Sequence, residues 1–261
     1  MTETLLMIHG MWGTGDQWSN YRAFFEAKGF EVVTPTLRHH VVGQPADPAL
    51  GATSLNDYAD DLERQIKALP RPPVIIGHSM GALLAQKLCA RGLGKAGIFL
   101  TPAAPHGIIA LTPSVIKSFF RIMTTWGFWR KPTYPTFEEA WYSVYNLLPE
   151  DEARAEYARL THESGRAAFE IGFSLLDGDR ASAVDAARID CPVLVVGASQ
   201  DRITPASVIR KIAAKYKKGA AGTCDYKEFP DKAHWVLGGK GWEDVAGHCL
   251  AWIGDKAPVE T

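Results

Sequence analysis

Residues 74–82 read Val74-Ile75-Ile76-Gly77-His78-Ser79-Met80-Gly81-Ala82. A short apolar run of β character enters Gly-x-Ser-x-Gly, and a stretch read as amphipathic leaves it. In that strand–turn–helix setting the pentapeptide reads as a nucleophile elbow. A serine at such a corner is forced into strained backbone geometry. Its hydroxyl then stands above the sheet, and the amides of the following helix point into the same space. A side chain at Gly77 or Gly81 would strike the neighbouring strand or helix. Ser79 is therefore the candidate nucleophile.

Outward from the elbow, β-like runs alternate with helix-period stretches, which predicts a parallel sheet flanked by helices. Strands are expected at 4–9, 30–34, 74–77 and 96–100. Asp16 is expected to cap a helix reaching Lys28, and Ser54 with Asp57 forms a capping box for a helix over 54–69. A loop rich in Pro and Gly fills 39–53. From Pro105 to Ala187 the alternation breaks, leaving helix signals and no convincing strand. Thr112-Pro113, the capping box Thr136-x-x-Glu139 and the acidic start Glu150-Asp151-Glu152 each open a helix, and a fourth is expected over 165–176. Strand character returns at 192–197 and 224–229, with helices over 205–217 and 242–253. The reading is an α/β core, residues 1–104 and 188–261, of about six mostly parallel strands, interrupted by a helical cap over 105–187. That insertion holds 13 of the chain's 27 aromatic residues. Large side chains there serve a small helical core, an apolar lid, or both; about half are expected to line a pocket.

A serine hydroxyl needs a base, and the base needs an orienting acid. Asp201 follows the strand at 192–197, and His234 follows the strand at 224–229. Both fall at the strand ends where open α/β sheets place their ligands. Asp231 is a rival acid, but it lies only three positions before the histidine. The order Ser79, Asp201, His234 is the order this chemistry takes on such a sheet.

With His9-Gly10 after the first strand, Gly77-His78-Ser79-Met80-Gly81, Gly197-x-x-x-Asp201-x-x-x-Pro205 and Ala233-His234, the chain resembles the α/β-hydrolase superfamily over nearly its full length. The resemblance implies an oxyanion hole formed by the backbone N–H groups of Met11 and Met80, with Trp12 near the acyl site. One departure from the family pattern is expected: the first strand begins near residue 4, without the usual leading hairpin. More specifically, residues 82–90 and Pro102-Ala103-Ala104-Pro105-His106-Gly107 look like capped bacterial hydrolases acting on carboxylic esters, some on aliphatic polyesters. Relatives that open epoxides or remove halide carry Asp at the elbow, where this chain has Ser79. Three functions stay open: a serine esterase for apolar acyl substrates, a C–C bond hydrolase for diketones, and a non-catalytic ligand-binding protein. A carboxylate-bearing diketone would call for a cap arginine such as Arg121, Arg130 or Arg166. Trp12, His78, Trp126, Trp129, Trp141 and Trp235 are the expected pocket residues.

Composition bounds the rest. The chain has 261 residues and a formal net charge of −1, with no Lys/Arg run, so neither nucleic acid nor an anionic membrane is indicated as partner. The apolar run over residues 5–8 is too short for a signal core or a membrane span, and a cytoplasmic monomer or weak homo-oligomer is expected. The cysteines at 89, 191, 224 and 249 lack Cys-x-x-Cys spacing. No metal or organic cofactor is expected. Gly13-Thr14-Gly15 lacks the third glycine of a dinucleotide fingerprint, having Trp18 in its place, and Gly92-x-Gly94-Lys95 lacks the spacing of a P-loop. His162-Glu163 begins like a zinc-protease motif, but Arg166 stands where the second histidine belongs. His39-His40 reads as a solvated loop pair.

Overall fold

The computed structural model describes residues 2–257. The first part of the chain forms β1 (Thr4–Ile8), α1 (Ser19–Glu26), β2 (Glu31–Val33), α2 (Leu55–Lys67), β3 (Val74–His78), α3 (Met80–Ala90) and β4 (Ala96–Leu100). The segment that breaks the alternation forms α4 (Pro113–Thr124), β5 (Pro132–Thr133), α5 (Phe137–Ser143), α6 (Glu150–Tyr157), β6 (Glu163–Ser164) and α7 (Gly165–Gly172). The chain then completes β7 (Val193–Ala198), α8 (Ala206–Gly219), β8 (Cys224–Phe229) and α9 (Trp242–Lys256).

Six strands pair in the order β2-β1-β3-β4-β7-β8, every pair parallel. All their C-terminal ends therefore lie along one edge. Alternate side chains serve the two faces. Leu5, Met7, Val74, Ile76 and Ile98 pack with Phe25 of α1 and Val245 of α9. Leu6, Ile8, Ile75, Phe99 and Val195 pack with Leu62 of α2, Leu84 of α3 and Ile212 of α8. Helix α3 is buried at every position, so the stretch after the elbow is a central helix covered on all sides, not an amphipathic surface one.

Local signals set several boundaries. Both halves of the Ser54/Asp57 and Thr136/Glu139 capping boxes are present, and Thr112 caps α4 with Pro113 at its first position. Such caps are each worth about 1 kcal/mol. Three expectations need correcting. Asp16 lies inside a 3-10 turn, Gly15–Trp18, and caps no helix. Helix α7 stops at Gly172, short of residue 176. The inserted segment is not purely helical, because β5 and β6 pair antiparallel through Pro132–Ser164 and Thr133–Glu163. Two residues per strand carry no readable period, so only the pairing reveals them.

The elbow glycines are fixed by backbone contact. A Cβ on Gly81 would stand 2.2 Å from the Ile8 carbonyl oxygen, and one on Gly77 would stand 2.2 Å from that of Gly81. Neither neighbour is a side-chain tip that could swing away. Gly81→Ala should therefore destabilise the fold by more than about 2 kcal/mol. Gly247→Ala, in open space within α9, should stabilise it by about 0.5–1 kcal/mol. Urea midpoints at constant m-value measure both.

Candidate active site

Ser79 sits between β3 and α3 with φ 55° and ψ −119°, a conformation L-residues rarely hold. Its N–H donates to the Leu100 carbonyl at 3.0 Å, and its carbonyl accepts from Ala103 N–H at 3.0 Å. Met80 opens α3, so its N–H belongs to the first turn, where helices leave donors unpaired. Met11 lies in the turn after β1, closed by Gly13 N–H to the Gly10 carbonyl at 3.3 Å. Among the described residues, neither the Met11 nor the Met80 amide donates to a backbone carbonyl. Trp12, in the same turn, has φ 60°.

Asp201 and His234 meet after β7 and β8. His234 Nδ1 lies 2.8 Å from Asp201 Oδ2, and both side chains are almost wholly buried. A carboxylate accepts, so Nδ1 carries the hydrogen, and in the neutral ring Nε2 is then the acceptor. Asp201 also accepts from Ile203 N–H and Thr204 N–H at 2.8 Å each, and from the Thr204 hydroxyl at 2.8 Å. Burial pushes the Asp201 carboxyl up, but the His234 ring and the Thr204 hydrogen bonds outweigh it and hold the group below its ordinary range. The rival Asp231 is exposed and pairs with Lys232 at 2.9 Å.

His78 does more than line a pocket. Its Nε2 lies 2.9 Å from the His234 carbonyl oxygen, so that nitrogen donates and fixes the backbone of the histidine paired with Asp201. The Thr101 hydroxyl donates to the same oxygen at 3.3 Å. Burial, reinforced by the neighbouring His234, lowers the His78 pKa to about 3, so the ring is neutral. Its Nδ1 is enclosed with no hydrogen-bond partner.

Ser79 and His234 line one cavity of about 330 Å³, together with Met11, Trp12, His78, Met80 and Trp235. The inserted segment supplies the opposite walls, among them Val115, Phe119, Ile122, Leu160 and Ile171. No Asp, Glu, Lys or Arg lies among the described lining residues. Trp126, Trp129 and Trp141 do not reach it. Trp126 is 85% exposed, Trp129 packs among Trp126, Phe128 and Phe169, and Trp141 stacks on Phe137 and donates to the Leu148 carbonyl. Only Phe119, Phe128, Tyr145 and Phe173 of the segment's 13 aromatic residues line the cavity. Aliphatic side chains, which carry no aromatic signature in the sequence, make up most of the rest. Arg121 is taken up by Glu139 and the Tyr134 carbonyl, and Arg166 by Glu170, Asp177 and Asp179. Among the described residues no group of three or more His, Cys, Asp or Glu could hold a metal ion, and no helix is long and apolar enough to cross a membrane.

The family model described as "Alpha/beta hydrolase family" matches residues 5–247. The chain belongs to the alpha/beta hydrolase family. No curated protein matches it in sequence. Solved structures share its architecture at low identity. A methylesterase from Arabidopsis superposes with a TM-score of 0.71 at 12% identity, covering 97% of this chain and 100% of that one. A Paleococcus ferrophilus monoacylglycerol lipase gives 0.69 at 18%, covering 98% and 96%. A pyrethroid hydrolase from Sphingobium faniae gives 0.69 at 17%, covering 98% of each. At such identities these likenesses speak to the fold alone.

The lowered pKa of His78 ties this hydrolase's stability to pH. The folded ring stays neutral down to about pH 3, whereas an unfolded histidine protonates near pH 6.5, at about its model-peptide value. The stability it contributes is complete above about pH 6.5 and is lost as pH falls toward 3. His9, also lowered to about 3 by burial, acts in the same sense. His78→Gln keeps an amide donor for the His234 carbonyl and removes the titration. Its melting temperature should fall less steeply than the parent's between about pH 6.5 and pH 4. An equally steep fall would exclude His78 as a source of the acid sensitivity.

Proposed function

We propose that this protein is a serine hydrolase that cleaves carboxylic esters of uncharged, apolar substrates. The observation that carries the reading is the buried His234–Asp201 pair, bonded at 2.8 Å, opening on the same cavity as the strained Ser79. Ser79 Oγ attacks the acyl carbonyl as His234 Nε2 takes its proton. Asp201 holds the Nδ1–H tautomer and stabilises the imidazolium that forms. The Met11 and Met80 amides receive the oxyanion; in acyl transfer each such donor is worth about 3 kcal/mol. His234 protonates the departing alcohol, then activates the water that releases the acid.

Residues 105–187 act as the cap, and their apolar walls select by exclusion. Burying an unpaired carboxylate or ammonium there would cost several kcal/mol, on the order of the effective penalty for a desolvated ion. This favours esters over carboxylate-bearing diketones, for which no lining arginine is present among the described residues. The methylesterase and the lipase among the structural relatives bear ester-cleaving names, which agrees with this choice.

A series of p-nitrophenyl esters of rising acyl length, run beside a carboxylated diketone, tests the reading. Neutral esters should be hydrolysed and the diketone left intact. Ser79→Ala should lose about 10⁴-fold or more in kcat, and Asp201→Asn about 10⁴-fold. Unchanged ester turnover by Ser79→Ala, or preference for the diketone, would refute it.

A further inference from the structure

A second buried cluster lies below the turn that carries Met11. Among its members are His40 of the His39-His40 pair and Glu163 of His162-Glu163. His40, expected to be a solvated loop residue, is buried, and so is Glu163. His40 Nε2 lies 3.1 Å from Glu163 Oε2, and both side chains have no exposure to solvent. His40 Nδ1 lies 2.9 Å from the Arg38 carbonyl oxygen. Both partners are acceptors, so both ring nitrogens carry hydrogen and the ring is a cation facing a carboxylate. Burial alone would push the His40 pKa down, but the charge and hydrogen bond of Glu163 hold it above the ordinary histidine value. Glu163 Oε1 accepts from the buried Tyr58 hydroxyl at 2.8 Å and from Ser164 N–H at 2.7 Å. A buried ion pair is weak evidence of stability, because an apolar replacement commonly does as well. Its better-attested use is to fix one register.

That register leads to the active-site turn. Leu37 N–H donates to His9 Nε2 at 3.0 Å, so His9 Nδ1 carries the hydrogen and donates to the Gly10 carbonyl at 2.8 Å. The Gly10 carbonyl and the Met11 N–H belong to one planar trans peptide and point in opposite directions. Fixing the oxygen therefore aims the Met11 N–H. Leu37 and His40 are joined by His40 N–H to the Leu37 carbonyl at 3.2 Å, and the His9 and His40 rings lie 5.2 Å apart. From its other side the turn is held by the inserted segment. Thr161 N–H donates to the Trp12 carbonyl at 2.8 Å, and its hydroxyl to the Val41 carbonyl at 2.9 Å. Trp12, with φ 60°, occupies a conformation that persists only where its surroundings over-determine it.

We propose that Glu163 and His40 are positioning residues for catalysis: through the 37–40 turn and His9, their pairing aims the Met11 amide at the developing oxyanion. The inserted segment thus both roofs the cavity and braces one arm of the oxyanion hole. This rests on the serine-hydrolase reading.

Glu163→Gln is the test variant. An amide has one acceptor oxygen for three converging donors, so the register loosens. The enzyme is titrated with a fluorophosphonate that labels Ser79, and p-nitrophenyl ester kinetics are expressed per labelled site. A misaimed donor is felt only in the transition state, so kcat should fall about tenfold to a hundredfold, with KM changed by less than about twofold. If Glu163→Gln yields no labelled protein, Tyr58→Phe decides in its place. It removes one donor and should lower kcat several-fold in the same pattern. A melting temperature that drops while kcat per labelled site stays at the parent value would make the pair a structural brace only and overturn the proposal. A parent protein whose Ser79 takes no label overturns the serine-hydrolase reading first, and this inference with it.

Discussion

The backbone of Ser79 is the constraint on which the rest turns. A non-glycine residue at φ 55° costs on the order of 1–3 kcal/mol and is kept only by its surroundings. Here β4 grips its amide and the start of the next segment grips its carbonyl. Gly77 and Gly81 let β3, α3 and β1 close to distances no Cβ would permit. These contacts make α3 the central helix, buried all round. They also put the hydroxyl at the edge where every strand of the parallel sheet ends. The sheet order then brings the turns after β1, β7 and β8 to that same edge.

At that edge the buried His9, His78 and His234 differ by the partner each nitrogen meets. His234 gives Nδ1–H to a carboxylate. His78 gives Nε2–H to a carbonyl. His9 gives Nδ1–H to a carbonyl and accepts on Nε2. Two of the three are held neutral by burial, with pKa values near 3. Only His234 faces the cavity with a carboxylate behind it. The neighbours, not the residue type, set which ring nitrogen carries hydrogen.

Much of this was legible in the sequence because it is local. The strand–turn–helix of the elbow, the two capping boxes and Thr112-Pro113 are each short patterns, and the sheet strands fall close to their expected limits. What was not legible depends on packing between distant parts. Trp126, Trp129 and Trp141 look like pocket aromatics, but facing is decided by how the inserted helices stack, and the lining is largely aliphatic. His39-His40 reads as a loop pair because nothing nearby in sequence answers it. The partner of His40 is Glu163, 123 residues away. In the sequence Glu163 stands out only beside His162, as the start of an incomplete metal motif. A pair of buried opposite charges leaves no periodic trace, so folding alone brings it into view.

The inserted segment carries two chemistries in one stretch of chain. Its cavity-facing side is apolar, with Val115, Phe119 and Ile122 among the walls. Its root is polar: Thr161, Glu163, Ser164 and Glu170 hydrogen-bond the core at Trp12, Val41, His40, Tyr58, Thr53, Ser54 and Leu55. Apolar contacts tolerate sliding, whereas buried hydrogen bonds to charged groups lose much of their value when a donor is misplaced. The root therefore sets where the roof stands, and through Thr161 it is bonded to the turn that carries Met11. Side-chain volume in the cavity walls can then change while the directional contacts at the root keep their geometry.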